Sequence, residues 1–228
     1  MSNKASIIKY VFIIGVIGIP IMVWFYMITG KNHFNPLPIL GNYRIDTVMV
    51  DGKPKTDTVY HTIPDFSLVS QEGKTITQNE IKGKVYVVDF FFASCPSFCP
   101  RMNSGLKTVY DKYKKVNDFL IVSFDIDPDK DSVPVLAKYA KSYDADPNRW
   151  LFLRGDKQQI HDLSMSYLMI PPDTIKDVKQ DIQHSPYYVL VDKERHIRGI
   201  YDSTNPVMID SLQGDITYLL KEYRKKNK

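Results

Sequence analysis

The stretch KVYVVDFFFASCPSFCPRM, Lys84 to Met102, contains both cysteines of the 228-residue chain. Its first part, Val85 to Phe92, is an apolar run rich in valine and phenylalanine, which predicts a buried central strand. Prolines follow at once, and proline is favoured in the first turn of a helix because its missing N–H is not needed there. The stretch therefore predicts a strand, then a sharp corner with Cys95 and Cys99, then a helix.

Such a corner suits two kinds of thiol chemistry. A helix N-terminus carries partial positive charge and unpaired N–H groups, which favour a thiolate over a thiol. Residues four apart in a helical turn, like Cys95 and Cys99, have Cβ atoms about 5–6 Å apart, whereas a disulfide requires roughly 3.5–4.5 Å. A metal ion between two sulfurs tolerates the wider gap. The spacing permits redox chemistry and suits a metal somewhat better, with a structural disulfide as the remaining alternative.

Composition bounds the class of protein. With 43% hydrophobic and 25% charged residues, the chain is typical of a globular protein and long enough for one domain with a sizeable core. The net charge of +4 is mild, and much of the positive charge lies at the C-terminal end. Without a basic stripe, the sequence gives no reason to expect a nucleic-acid partner.

The N-terminal segment predicts a membrane anchor. Tyr10 to Ile28 contains no charged residue and is long enough to cross the hydrocarbon core as a helix. A cleaved signal peptide is the alternative, but the aromatic residues Trp24 to Tyr26 at the end of the run fit an interfacial belt better. We expect a single-pass membrane protein whose functional domain is extracytoplasmic, on the periplasmic side of a bacterial inner membrane. The predicted divisions are a cytoplasmic N-terminus at 1–9, a transmembrane anchor at 10–29, a linker and β-hairpin at 30–60, and the main domain at 61–228.

The rest of the chain alternates strands with helices. Tyr43 to Val50 and Thr56 to Tyr60 flank an Asp-Gly pair, which indicates a hairpin. Two further hairpin strands are expected at Tyr187 to Val191 and Ile197 to Tyr201, before an amphipathic helix that Pro206 opens. This pattern predicts an α/β fold, a central mixed sheet flanked by helices. The remaining elements predicted are strands at 63–69, 74–77, 119–124 and 150–153, and helices that begin near Ser132 and Asp156.

A run of alternating carboxylates, Asp125 to Asp131, superficially resembles a calcium loop. It lacks the glycine and the closing glutamate of such a loop, and Pro128 interrupts it. We interpret these residues as a turn that caps the helix beginning at Ser132. Met102, three residues after Cys99, offers a soft thioether, but a methionine in a helix more often packs in the core.

Together these features resemble a known family. A strand leading to cysteines at a helix start, a strand–helix unit and a final hairpin with a helix resemble the thioredoxin fold. Within that class, the Cys-x-x-x-Cys-Pro corner, the stretch from Val122 to Asp131 and the lone His184 before the final hairpin resemble the Sco/SenC family. The resemblance covers roughly residues 66 to 220.

This resemblance implies both a fold and a function. The fold would be thioredoxin-like with an added N-terminal β-hairpin, preceded by one transmembrane helix. Members of the family are extracytoplasmic copper-binding proteins that help deliver copper to the dinuclear centre of cytochrome c oxidase. Carried over by position, the ligands of the copper ion would be Cys95, Cys99 and His184, a soft donor set that favours Cu(I). The partner would be the copper-receiving subunit of the oxidase or another copper chaperone.

Two departures from the family pattern support other functions. Gln183 holds the place where family members often have an acidic residue, and Pro186 occupies the position of a proline that faces the redox cysteines of thioredoxin-like reductases. The main alternative is therefore a thiol-disulfide oxidoreductase, with Cys95 as the attacking thiol and Cys99 as the resolving one. A peroxide-reducing enzyme of the same fold and a copper-responsive sensor are further alternatives.

Overall fold

The computed structural model describes residues 9–10, 12–29, 36–50, 53–95, 98–169 and 186–226. The chain divides into two compact units, Met1–Pro36 and Leu37–Lys228. In the first unit, a π-helical turn at Ile14–Gly18 leads into helix α1, Ile19–Thr29. Large apolar side chains of this unit, among them Phe12, are exposed.

The predicted transmembrane helix over residues 10–29 is not supported by the structure. Of the helices that the structure describes, none combines the length and the apolar character needed to cross a membrane.

The second unit begins with the predicted hairpin. Strands β1, Tyr43–Val50, and β2, Lys53–Tyr60, pair antiparallel in unbroken register from Tyr43 opposite Tyr60 to Val50 opposite Lys53. The second strand begins three residues earlier than predicted, because Pro54 pairs opposite Met49 at the edge of this two-stranded sheet, where its lack of an N–H is tolerated.

A seven-stranded mixed sheet forms the centre of the unit, as predicted. Its strands lie in the order β4-β3-β7-β6-β5-β8-β9, with β5, β6 and β7 parallel to one another and the outer pairs antiparallel. The strands are β3 (Ser67–Ser70), β4 (Thr75–Thr77), β5 (Val85–Phe91), β6 (Phe119–Asp125), β7 (Trp150–Arg154), β8 (Tyr187–Val191) and β9 (Ile197–Asp202). The helices are α2 (Gln78–Ile81), α3 (Phe98–Tyr113), α4 (Val133–Ser142), α5 (Lys157–Leu168) and α6 (Pro206–Lys226).

Hydrophobic residues cover both faces of the sheet, because alternate side chains of a strand point to opposite faces. Val85, Val87 and Phe91 of β5 pack in one cluster, which includes buried residues of α3, α4 and α6. Tyr86, Val88 and Phe90 pack in the other cluster, with buried residues of α2 and α5. This alternation places the remaining odd-numbered residue of β5, Asp89, on the face that carries α3 and its cysteine.

Close packing fixes helix α3 against β8 and α6. A Cβ atom at Gly105 would lie 2.8 Å from the Tyr188 hydroxyl and 3.0 Å from Ile209 Cδ1, so a larger residue there would force the helix outward. The same Tyr188 hydroxyl donates a hydrogen bond to the Met102 carbonyl at 2.5 Å. The first turns of α3 are therefore held in place from the neighbouring strand.

Candidate metal and thiol site

The structure brings the two predicted cysteines together at the carboxyl end of β5. Cys95 is partly exposed and lies in a turn in which its N–H donates to the Phe92 carbonyl at 3.2 Å. Cys99 is the second residue of α3 and only 3% exposed. Its N–H donates to Cys95 Sγ at 3.3 Å, and both residues are thiols in the structure. Cys95 is thus the more exposed of the two cysteines.

Burial changes the expected charge of the inner thiol. The helix N-terminus predicts a thiolate, but burial raises the pKa of Cys99 to about 12, and the nearby Cys95 and Asp89 raise it further. The Phe92 backbone acts in the opposite direction and does not compensate. A thiol this well buried stays protonated at neutral pH unless a cation takes the place of its proton, since a coordinating thiol is deprotonated by the metal.

A buried carboxyl group, which the sequence analysis missed, lies on the same face of the sheet as Cys99. Asp89 is fully buried, and its Oδ1 accepts a hydrogen bond from the Ser123 hydroxyl at 2.5 Å, which in turn accepts from Trp150 Nε1 at 2.9 Å. Its Oδ2 has no hydrogen-bond partner. Burial raises the pKa of Asp89 to about 7. A lone carboxylate inside an apolar run was the signal available in the sequence.

The turn after β6 reaches the same corner. Asp131 is buried, and its Oδ2 accepts a hydrogen bond from the Ala93 N–H at 2.6 Å. The predicted cap of α4 is therefore built differently: Ser132 is the N-cap residue but its side chain makes no capping hydrogen bond, and the Asp131 carboxylate serves the cysteine loop instead. Asp125 is also fully buried behind this turn.

The third predicted ligand, His184, lies outside the described residues, as does Gln183. Their roles stay predictions from the sequence. Met102 is 2% exposed and packs in the core, which agrees with the packing role expected for it.

Another group of potential metal ligands occurs in the β8–β9 turn. One ligand atom from each of Asp192, Glu194 and His196 lies within 4.8 Å of the others. However, Asp192 Oδ1 accepts the N–H groups of Glu194 and His196, and its Oδ2 accepts a hydrogen bond from the Arg198 guanidinium at 2.8 Å. Because this carboxylate is already neutralised by an arginine, the group reads as a structural turn.

The cysteine corner fits a soft metal ion. Two neighbouring cysteine sulfurs are donors that Cu(I) and Zn(II) prefer. The partly exposed Cys95 gives an ion access from solvent. The buried carboxyl of Asp89 acts on the Cys99 thiol, and the buried Asp125 pairs opposite Phe91 at the same end of the sheet. An incoming cation would favour the ionised forms of all these groups.

This chain is similar in sequence and in fold to proteins of known families. The SCO1/SenC family model matches residues 54–219. The SCO1 protein homolog of Bacillus subtilis is 27% identical over 167 residues, which cover 72% of this chain and 86% of that protein.

Two solved structures share the fold at 25% identity. BsSco, described as a member of the Sco family of cytochrome c oxidase assembly proteins with a disulfide switch, superposes with a TM-score of 0.59 over 70% of this chain and 93% of its own. Arabidopsis thaliana ScoI with copper bound superposes with a TM-score of 0.54 over 68% of this chain and 98% of its own. The predicted thioredoxin-like α/β fold is thereby confirmed, and the chain belongs to the SCO1/SenC family.

Proposed function

We propose that this protein binds one copper ion through Cys95, Cys99 and His184 and delivers it to the dinuclear copper site of cytochrome c oxidase during assembly of that enzyme. The observation that carries the proposal is the pair of sulfurs joined by the Cys99 N–H to Cys95 Sγ hydrogen bond at the start of α3. Support comes from the copper-bound ScoI structure and from the description of BsSco as an oxidase assembly protein.

The difference in exposure between the two sulfurs suits a protein that must also release its cargo. Copper would first meet the accessible Cys95 and then displace the proton of the buried Cys99. A third ligand from His184 would complete a site of low coordination number, with one side open to a receiving protein. Release follows when thiolates of the partner replace these ligands one at a time.

A competitive titration tests the ligand set. Cu(I) is titrated into the reduced full-length chain, in detergent, against a chromophoric chelator, beside the His184→Ala and His161→Ala variants. We expect one tightly bound Cu(I) per chain. Loss of groups that merely support a ligand costs about 10–100-fold in affinity, so loss of His184 itself should cost at least about 100-fold. His161, whose Nδ1 lies 3.3 Å from the neighbouring Asp162, is the matched control and should bind as the wild type does.

Equal binding by wild type and His184→Ala would exclude the three-ligand site. Delivery needs a separate measurement, the copper content of the oxidase's dinuclear site in cells that lack this protein. We expect that site to be empty and to be refilled by the wild-type chain but not by Cys95→Ala. A fully loaded oxidase in the deleted cells would instead favour a copper sensor.

Thiol-disulfide exchange is a second candidate, favoured by the order of the two sulfurs. The Cys95 thiolate would attack a partner disulfide, whose S–S bond breaks as the mixed disulfide forms and one partner thiolate leaves. Cys99, once deprotonated, would attack Cys95 Sγ and release the second partner thiolate. The Cys95–Cys99 pair ends oxidised and the partner ends with two thiols. Asp89 is a buried group on the Cys99 face that is able to take up a proton.

The two candidates respond differently to the loss of the histidine. Dithiol exchange should keep its rate in His184→Ala, whereas a metal site should not keep its affinity. Stopped-flow reduction of a model disulfide by the same two proteins therefore separates the functions. If His184→Ala lost disulfide-reducing rate as well as copper affinity, thiol-disulfide exchange independent of the metal site would be excluded.

We further propose that the domain works on the extracytoplasmic side and is attached to the membrane through the apolar segment at residues 10–29. The exposed apolar side chains of that segment support this proposal. In spheroplasts, a membrane-impermeant maleimide should label Cys95, and alkaline carbonate should leave the chain in the membrane pellet. A double variant, Ile19→Lys with Val23→Lys, should move into the supernatant. Labelling only after lysis would place the domain on the other side.

A further inference from the structure

The loop that carries Cys95 is held by a neighbouring segment. The Ala93 N–H donates to Asp131 Oδ2 at 2.6 Å, and the Ile126 N–H donates to the Phe91 carbonyl at 2.9 Å. Residues 91–93, at the end of β5, are thus joined at two points to residues 126–131, at the end of β6. Ala93 lies only two positions before Cys95, so any movement of this contact moves the accessible sulfur.

The turn that supplies Asp131 is itself fixed. The N–H groups of Lys130 and Asp131 both donate to the Asp127 carbonyl, at 3.0 and 3.1 Å. Arg154, from β7, donates a hydrogen bond to the Pro128 carbonyl at 2.6 Å. The carboxylate of Asp131 therefore presents its oxygen to Ala93 from a rigid support, which is what positioning a reactive side chain requires.

Two carboxyls share this turn, and both are buried. Asp131 is 2% exposed and Asp125 is fully buried. Asp125 Oδ1 accepts the Asp127 N–H at 3.1 Å, whereas its Oδ2 has no hydrogen-bond partner. Two negative charges this close in a buried place are strongly disfavoured, so one of the pair holds a proton.

The surroundings show which carboxyl holds it. Burial, followed by the charge of Asp131, raises the pKa of Asp125 to about 8, while the Asp127 N–H and Arg154 act in the opposite direction. Asp131, by contrast, accepts a short hydrogen bond from the Ala93 N–H. At neutral pH, Asp125 is therefore the neutral acid of the pair.

We propose that Asp131 is a positioning residue for the Cys95–Cys99 corner, and that the neighbouring Asp125 is a neutral acid, so that no second buried charge disturbs the hydrogen bond from Ala93 to Asp131. This arrangement deepens the proposed function. Only the measurement of copper affinity rests on that function, and the measurement at Ala93 does not. A charge-assisted bond to Ala93 fixes the backbone before Cys95, so the two sulfurs are pre-arranged when an ion or a partner arrives.

The test compares three substitutions in the same turn of the full-length chain. Asp131→Asn removes the charge that accepts the Ala93 N–H, Asp125→Asn replaces the neutral acid with a neutral amide, and Asp129→Asn alters a carboxylate whose side chain is 79% exposed. The first readout is the protection factor of the Ala93 amide in the ¹⁵N-labelled chain, which is its exchange rate corrected for the intrinsic rate at each pH. The second readout is the Cu(I) dissociation constant.

We expect Asp131→Asn to lower the Ala93 protection factor several-fold, because the amide oxygen of Asn is a weaker acceptor than the carboxylate oxygen that it replaces. Cu(I) affinity should fall several-fold in the same variant, and Asp129→Asn should change neither quantity. An unchanged Ala93 protection factor in Asp131→Asn would overturn the positioning role. Absence of copper binding in the wild type would defeat the proposed function and leave the Ala93 measurement intact.

Asp125→Asn keeps the proposal testable if Asp131→Asn does not fold. In the wild type, the Ala93 protection factor should fall as pH rises through about 8, because Asp125 then ionises beside Asp131. In Asp125→Asn, which cannot ionise there, the protection factor should stay level from pH 7 to 9. Coincident pH profiles for the two proteins would overturn the role of Asp125.

Discussion

At the β8–β9 turn, the buried carboxylate of Asp192 has a full set of partners, whereas Asp89 and Asp125, near the cysteine corner, each keep one oxygen without a hydrogen bond. Asp192 is balanced by the guanidinium of Arg198 at 2.8 Å. No comparable hydrogen bond from a cation reaches Asp89 or Asp125 in the described part of the chain. A buried carboxylate that only supports the fold needs a positively charged partner, as Asp192 has. Buried carboxyls without such a partner are typical of a site that binds a cation.

The largest effect should come from unbalancing the β8–β9 turn. Arg198→Ala leaves the Asp192 carboxylate buried without its guanidinium partner, and also frees the carbonyls of Leu37 and Pro38, which accept hydrogen bonds from Arg198. We expect the free energy of unfolding to fall by about 3–5 kcal/mol. The exposed Lys74–Glu72 pair is the control, and Lys74→Ala should cost about 0–1 kcal/mol. Urea unfolding measures the free energy of unfolding of both variants. If both lost a similar small amount, the buried Arg198–Asp192 pair would stabilise the fold no more than a surface pair does.

An intermediate effect is expected from pH. The pKa values of Asp89 and Asp125 are raised to about 7 and about 8, against about 4 in an unfolded chain. The folded state therefore binds more protons than the unfolded state between these limits, so stability is greatest below pH 4 as far as these two groups are concerned, and declines as pH rises through 7 and 8.

The double variant Asp89→Asn with Asp125→Asn isolates this contribution. Unfolding free energies of the metal-free, reduced chain at pH 5.5, 7.0 and 8.5 should fall in the wild type by an amount on the order of a few kcal/mol. The double variant should show a flatter profile over the same range. If the unfolding free energy changed with pH equally in the wild type and the double variant, Asp89 and Asp125 would contribute no pH dependence, and the contrast with Asp192 would fail.

The smallest effect should appear at the inner thiol. Asp89→Asn removes a negative charge that raises the pKa of Cys99, but burial, the largest cause, remains. We expect a small decrease in that pKa, measured from the pH dependence of Cys99 alkylation in a Cys95→Ser background. Asp111→Asn, on the exposed side of the same helix, is the control and should leave the profile unchanged. An increase in the Cys99 pKa would contradict the assigned sign of the interaction.

Local pattern made most of the secondary structure predictable. The apolar run of β5, the Asp-Gly hairpin and the final amphipathic helix were found within a few residues of their predicted bounds, because each depends on short-range periodicity and turn residues. Asp156 caps α5 as expected, with its side chain accepting the Gln159 N–H. Hydropathy alone was a poorer guide to the N-terminal segment, because no helix among the described residues has the length and apolar character needed to cross a membrane.

The candidate site was predictable only in part. Cys95 and Cys99 could be paired from their spacing and from the family resemblance, and their role as copper ligands with His184 stays a prediction. Asp89, Ser123 and Trp150 come from three different strands, so their contact depends on the order of the strands in the sheet. The link from Asp131 to Ala93 spans 38 positions and carries no signature in either segment.

The sequence by itself determined the alternation of strands and helices and the strand-to-helix corner with its two thiols, because residue type and spacing suffice for these. Only the tertiary structure decided which thiol is exposed, which carboxyls are buried without a counter-charge, and that burial outweighs the helix N-terminus at Cys99. The physical reason is that pKa and charge balance depend on what surrounds a group in space, and those neighbours are supplied by distant parts of the chain.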